Sequence, residues 1–326
     1  MKKKVSENLK KLRLKSNLSL KEAGKLLNMS APGLLKYETG KTVPSLDRLE
    51  QFAKIYHTNV NEILDTGQTN EIKFNNFKCL PRTSSTIENK IKNILREKID
   101  NYFELLSLSD IKLQNKFGVH MINSLDQAES LATKLRIFFT IPIDAPISNL
   151  IYLLESNDII IITIPKNEVT KHFVGFYETI NNLPVIAVLE EDNGYDQRFN
   201  VAKYLGELLI VANVNKDAIT TRFAESLLIP KQSLINEFDS IRQKIDFKEI
   251  EIFSNIYKVS FKKILKRLQM CGIITPSNAK YTNIYINKNN IKEQVYIEQS
   301  NYYDKMLYKL YAQGIIKDIS KYNNYL

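Results

Sequence analysis

Helix starts and stops crowd the first 65 residues of the chain. In "LSLKEAGKLLNMS", Ser19 and Glu22 form the capping-box pattern that opens a helix. That helix covers Leu20–Leu27 and ends at Asn28. The next begins near Ser30, where Pro32 is tolerated because a first helical turn needs no amide donors. Upstream, apolar periodicity marks Asn8–Lys15 as helical. Gly40 in "ETGKTVP" is a stop signal, and "SLDRLEQFAKIY" and "NVNEIL" make a fourth and a fifth helix. The expected product is five short helices with a tight turn between the second and third.

That order describes a helix-turn-helix domain. Residue by residue, "LKKLRLKSNLSLKEAGKLLNMSAPGLLKYETGKTVPSLDRLEQFAKIY", Leu9 to Tyr56, resembles the XRE family, the fold of lambdoid phage repressors and Cro. The resemblance implies that Arg13 of the first helix pairs with Glu38 at the end of the third. It implies a third helix lying in the major groove and exposing Ser30, Ala31, Pro32, Leu35 and Lys36. Lys41 and Thr42 are expected along phosphates, with Lys21 also in the DNA-binding set. Two departures stand out. Leu20 replaces the glutamine that often opens the second helix, and Ala31, Pro32 and Leu35 offer only apolar contact, for instance to thymine methyls. Specificity is then expected from DNA shape, methyl contacts and Lys36 over a strong phosphate attraction. The alternative is a domain turned to dimerisation or protein contact. The implied partner is a double-stranded, palindromic operator bound by a homodimer.

Charge agrees with a polyanionic partner. Residues 1–65 carry thirteen Lys and Arg against seven Asp and Glu, and the whole chain is at +10. A length of 326 residues with 44% apolar content predicts two or three domains with packed cores. The longest apolar run, "DIIIITI", is strand-sized and stops at Pro165, so no membrane span is expected. "MKKKVSENLK" lacks the apolar stretch of a signal peptide. Cys79 and Cys271 alone allow no disulfide framework, and a reducing, cytoplasmic and nucleoid-associated setting is expected.

"TGQTNEIKFNNFKCLPRTSS", Thr66 to Ser85, reads as a polar linker. A long amphipathic helix follows, with Ile87, Ile91, Ile94, Leu95, Tyr102, Phe103 and Leu106 as one stripe that packs on the next domain or on a second copy. From Leu125 the order is helix, loop, helix, strand, then two strands around Asn181-Asn182, then the helix "RFNVAKYLGELL" and "TRFAESLLIP". With "AESLATKLR", "PISNLIYLLESNDIII", "VGFYE" and "NLPVIAVLEED", this series resembles the ImmA/IrrE family of zinc metallopeptidases, which often follow an XRE domain. That family's helix carries H-E-x-x-H, two imidazoles on zinc and a glutamate as general base.

Laid on "RFNVAKYLGELL", the two ligand positions are Lys203 and Glu207, and the base position is Tyr204. The acidic third ligand of the family falls near Asp217 or Ile219. A lysine ammonium has no lone pair for a metal, and a phenol is a poor base at neutral pH. The chain's histidines, His57, His120 and His172, fall outside the motif. The expectation is a domain without catalytic residues, metal or cofactor, in which Lys203 and Glu207, with Asp217, form an ionic bridge across the old cleft. An ordinary solvated pair is the alternative.

"IFSNIYKVSFKKILKRLQMCGIIT" reads as helix, turn, helix, with Val259, Ser260, Arg267, Leu268 and Gly272 matching a pattern that follows the peptidase core. Lys262, Lys263, Lys266 and Arg267 form its basic face. Lys280–Ile297 is read as two short strands, and "YYDKMLYKLYAQGIIKDISKY" as a last helix and turn.

The fold class expected is multidomain and mainly α with a small α+β domain. A five-helix lambda-repressor-like domain spans 1–66, a linker and connecting helix 67–124, and an ImmA/IrrE-like, zincin-type α+β domain 125–235. A helical, winged-helix-like sensing or oligomerisation region spans 236–326. The implied function is a transcriptional regulator associated with phage, defence or mobile elements, a repressor in the leading reading and an activator in the alternative, with a peptide, small-molecule or protein effector. The rivals are a metallopeptidase with an unorthodox ligand set that cleaves a repressor, and an antitoxin or interaction adaptor.

Overall fold

In the first unit, Met1–Asn70, five helices form: α1 (Lys2–Lys15), α2 (Leu20–Leu26), α3 (Ala31–Glu38), α4 (Leu46–Ile55) and α5 (Val60–Leu64). The structure is a computed structural model that describes residues 2–16, 18–58, 60–64, 72–191, 193–239 and 241–322, without the side chains of 2–4, 15, 61 and 62. The start of the expected linker, 66–71, lies outside the described residues. Ser19, Ser30 and Ser45 cap α2, α3 and α4, each accepting an amide hydrogen bond from the first turn. Elements this short gain their stability from packing. Leu9, Ala23, Leu34, Phe52 and Ile63, all fully enclosed, bring one residue from each helix to a common core.

The second unit, Glu71–Leu326, is built on a four-stranded mixed sheet. Its strands are β1 (Phe77–Cys79), β3 (Ile160–Ile164), β4 (Phe173–Ile180) and β5 (Leu183–Leu189), in the order β1-β4-β5-β3. The short β2 (His120–Met121) pairs in parallel with β6 (Ile210–Val211). Asn181 and Asn182 both take positive φ, 50° and 62°, which gives the β4–β5 hairpin its tight turn. β3 lies parallel to β5, Ile160 opposite Val185 and Ile164 opposite Leu189.

Both faces of the sheet are buried, so its strands read as apolar runs without alternation. Ile160, Ile162, Ile164, Val185 and Ala187 face α6 (Ser85–Leu108) and α15 (Tyr302–Ala312). Ile161, Tyr177, Ile186 and Val188 face chiefly α9 (Gly194–Leu209), on which α10 (Lys216–Leu228) packs, with α7 (Leu125–Phe138) against α10 in turn. Helix α6 packs Ile91, Leu95, Ile99, Tyr102 and Leu105 into its own unit's core.

Three expectations are corrected. The stretch read as a linker contributes β1, whose Phe77 pairs with Phe176, because its apolar and half-buried residues complete the sheet edge. The two strands expected in Lys280–Ile297 are not there: α14 runs Pro276–Lys288. Thr275 caps it by accepting from the Asn278 amide at 3.2 Å and Pro276 sits at its first position, and these start signals outweigh the β-favouring Tyr and Ile residues. A winged-helix form needs a hairpin, and among the described residues no strand follows Val211.

After α14 an extended strap returns across the unit. The Gly194 amide donates to the Tyr296 carbonyl at 2.6 Å, an approach close enough that a side chain at 194 would collide with that oxygen. Glu298 is enclosed and takes Arg198 Nη1 at 2.7 Å, Tyr296 Oη at 2.9 Å and the Leu150 amide. Ser300 then donates to Glu155 at the end of α8 (Leu150–Glu155). Burial, only partly offset by that hydrogen bond and by Lys305, raises the Glu155 carboxyl to about 7.

A carboxyl with a raised folded pKa gives its full stability below the unfolded value, 4.5, and loses it as pH climbs through about 7. Between those limits wild type should lose about 3 kcal/mol more stability than Glu155→Gln. Urea titrations of both proteins across this range check it; parallel curves would place Glu155 in water.

Candidate functional site

The recognition surface of the first unit follows from how α3 is seated. Leu34 and Glu38, one turn apart, point inward, and Tyr37 leans edge-on against Phe52, 5.7 Å between centroids. Pro32, Leu35 and Lys36 therefore point outward and are exposed, as is Ser30 at the cap; Ala31 is half-buried. Ser30 Oγ accepts from the Gly33 amide at 3.2 Å, so the hydroxyl keeps its proton for another partner. Gly40, at φ 70°, turns the chain so that Lys41 and Thr42 follow as exposed residues, and Lys21 is exposed at the start of α2.

Arg13 fixes this arrangement from beneath. Its Nε and Nη2 reach the two carboxylate oxygens of Glu38 at 2.7 and 3.0 Å, and Nη1 reaches the Leu18 carbonyl at 2.7 Å. The fork joins α1, the loop before α2 and the end of α3. Hydrogen bonding to Glu38 raises the Arg13 pKa against the opposing effect of burial. A bidentate pair of this kind is among the stronger charged contacts.

In the second unit, α9 is buried nearly all round, as a helix crossing the middle of a domain must be. The ionic bridge expected between Lys203 and Glu207 is corrected. Lys203 Nζ instead meets Asp217 Oδ1 at 2.6 Å, near the surface at the first turn of α10, and that hydrogen bond holds the Asp217 carboxyl below its ordinary range. Glu207 turns inward, with its side chain only 6% exposed. Tyr177 Oη donates to its Oε2 at 3.0 Å and Thr220 Oγ1 to its Oε1 at 3.2 Å. Lys216 Nζ stands 3.1 Å from Oε2 and Lys78 Nζ 3.8 Å from Oε1. Four residues apart on a helix places two side chains on one face, but partners outside the helix decide where each charge goes.

Tyr204 is buried and stacked on Tyr177, 5.5 Å between centroids, and its hydroxyl donates to the Val174 carbonyl at 3.1 Å. Burial first, and then Glu207, pushes its phenol up to about 12. Its ring occupies the space over Gly175, where any Cβ would come within 2.2 Å of the ring. These residues do not fit a zinc ion. Lys203 lacks a lone pair while protonated, the Glu207 oxygens already receive two hydroxyl donors and two ammonium groups, and Tyr204 is turned to a carbonyl. Among the described residues no three His, Cys, Asp or Glu side chains gather as a ligand group. His120 is exposed on β2, His172 precedes β4, and His57 belongs to the first unit.

The basic face expected on α13 (Phe261–Met270) is largely consumed inside the unit. Arg267 grips Glu129 with Nη1 and Nη2 at 2.7 and 3.0 Å, Lys266 meets Glu225 at 2.8 Å, and Lys263 lies on the Phe199 ring. Arg222 adds a second guanidinium to Glu129 at 2.8 Å. Burial alone would raise the Glu129 carboxyl; the two arginines together hold it below its usual range. Gly272, at φ 73°, turns the chain after this helix. Sequence reading missed Lys78, Thr220 and Lys216 around Glu207, since none has local spacing to it; Tyr177 stands in the quoted "VGFYE".

The sequence profile of a family described as "Helix-turn-helix domain" matches residues 5–64. That stretch is a helix-turn-helix domain. No curated protein matches the chain. Among solved structures, the apo form of ComR from S. thermophilus is 13% identical, covering 98% of this chain and 96% of that one, with a TM-score of 0.19. PlcR from Bacillus thuringiensis, solved with the peptide PapR7 and DNA, is 10% identical, covering 99% and 98%, also at 0.19. Scores this low carry no fold or ligand across. Among the described residues no helix is long and apolar enough to cross a membrane.

Removing a hydroxyl from a buried carboxylate costs more than removing a charge near the surface. Tyr177→Phe should destabilise the protein by about 1–3 kcal/mol, and Lys203→Met by less than about 1 kcal/mol. Chemical denaturation of the two variants checks the order, and its reversal would return the ionic bridge to Lys203.

Proposed function

We propose that the chain is a DNA-binding transcriptional regulator, acting as a repressor of phage, defence or mobile-element genes. The observation that carries this reading is the helix-turn-helix match over residues 5–64, together with the outward face of α3. Two such faces, related by the twofold axis of a homodimer, meet successive half-sites of a palindromic operator. Lys36 contacts base edges, Leu35 and Pro32 lie against thymine methyls, Ser30 and Ala31 flank them, and Lys21, Lys41 and Thr42 follow the phosphates.

In this reading residues 125–235 of the second unit are an ImmA/IrrE-like domain that keeps a peptidase's outline without its chemistry. The donor set around Glu207 supports the loss of hydrolysis, because its oxygens serve as ion-pair and hydrogen-bond acceptors. Its role is to sense an effector or to join subunits. An antitoxin or adaptor, in which the first unit contacts protein, draws on the apolar Ala31, Pro32 and Leu35.

DNA binding should fall steeply with salt. Six or more phosphate contacts imply a loss of about a thousandfold or more between about 50 and 200 mM salt. Fluorescence anisotropy with an operator fragment measures this, and Lys36→Ala should narrow the gap between operator and random DNA. A salt-independent or absent signal favours the adaptor.

A further inference from the structure

A cavity of about 250 Å³ opens in the second unit between α6, α15, the strap and the carboxyl ends of β3 and β5. Because β3 and β5 are parallel neighbours, those ends lie on one edge of the sheet, the position where open α/β sheets seat ligands. The volume lies just under the roughly 300–1,000 Å³ of ordinary ligand pockets, which suits a molecule of single-residue size.

The lining is charged in an uneven way. Lys98 of α6 supplies one ammonium, and Glu190, next after β5, and Asp304 of α15 supply two carboxylates. Tyr102 and Tyr303 form an aromatic wall, their centroids 5.9 Å apart. Lys98 is half-buried, and burial lowers its pKa against the pull of Asp304, Glu190 and Glu97. Glu190 is steadied by Gln299 Nε2 at 3.0 Å, so the strap helps to shape the wall. Neither α9 nor the partners of Glu207 contribute to this lining.

We propose that this cavity binds a basic α-amino acid, such as arginine or lysine. The ligand carries two cations and one carboxylate, the inverse of the two carboxylates and one ammonium that line the cavity. Lys98 takes the ligand's carboxylate; Glu190 and Asp304 take its two cationic groups. Tyr102 and Tyr303 lie along its aliphatic stem and offer ring faces to a guanidinium or ammonium. Charge-assisted pairing on three sides rejects neutral and acidic amino acids of the same size. Binding deepens the effector role proposed for the second unit and rests on that reading only for its consequence on DNA.

Isothermal titration calorimetry on the full chain, without DNA, tests the pocket. L-arginine and L-lysine should bind, while L-norleucine, which lacks the side-chain cation, and L-glutamate should bind at least about tenfold more weakly. Asp304→Asn, at an exposed position that leaves the fold intact, and Glu190→Gln should each weaken L-arginine about tenfold. Lys98→Met should remove the preference for L-lysine over cadaverine, which lacks the carboxylate. Absence of binding by any of these probes to folded wild type, or binding unmoved by all three variants, overturns the assignment. Operator affinity measured with and without L-arginine reads the other arm. Binding that leaves DNA affinity unchanged keeps the pocket and contradicts its effector role alone.

Discussion

A charge removed from water must find a counter-charge or hydrogen-bond acceptors, and both units are organised around that constraint. Three glutamate–arginine pairs hold elements far apart in sequence: Arg13 with Glu38 and Arg198 with Glu298, both buried, and Glu129 with Arg267, where the glutamate is half-buried. Arg13 and Arg267 each grip their glutamate as a two-point fork that tolerates little displacement, while Arg198 meets Glu298 through Nη1 alone. In the first unit the fork sets the exit of α3 and therefore the tilt of its outward face. In the second, Glu129 ties α7 to α10 and α13, and Glu298 ties the strap to α9. Arg136 extends the theme without a carboxylate. It donates to the carbonyls of Leu227 at 2.6 Å and Pro142 at 2.9 Å, and burial lowers its pKa to about 10.

The same rule explains why the surroundings of Glu207 do not suit a metal. Zinc needs ligand lone pairs aimed at an empty centre. Here hydroxyls and ammonium groups converge on the carboxylate, and a tyrosine ring stands over Gly175. Glu207, Tyr177 and Thr220 serve as internal ties. What is left for interaction lies elsewhere: the outward face of α3 and the cavity at the strand ends.

The first unit was readable because its signals are local. Ser19 with Glu22, Ser30 with Pro32, and Gly40 each act within a few residues, and the structure places helix ends where they stand. The β4–β5 hairpin was equally local, resting on Asn181 and Asn182. What escaped was long-range. Glu298 meets Arg198 across 100 positions, and β1 joins β4 from a stretch whose composition resembles a linker. The i, i+4 spacing of Lys203 and Glu207 was seen correctly, yet spacing names neighbours and cannot name partners from another helix. In α14, Tyr and Ile suggested strands, while the cap at Thr275 carried the deciding information.

The central claim is that the outward face of α3 meets DNA in the cell. Genomic footprinting of the tagged full-length protein tests it most directly. Protection is expected at a small number of sites, each with twofold symmetry and lying at promoters. A tagged, folded protein that leaves no DNA protected above background would contradict it.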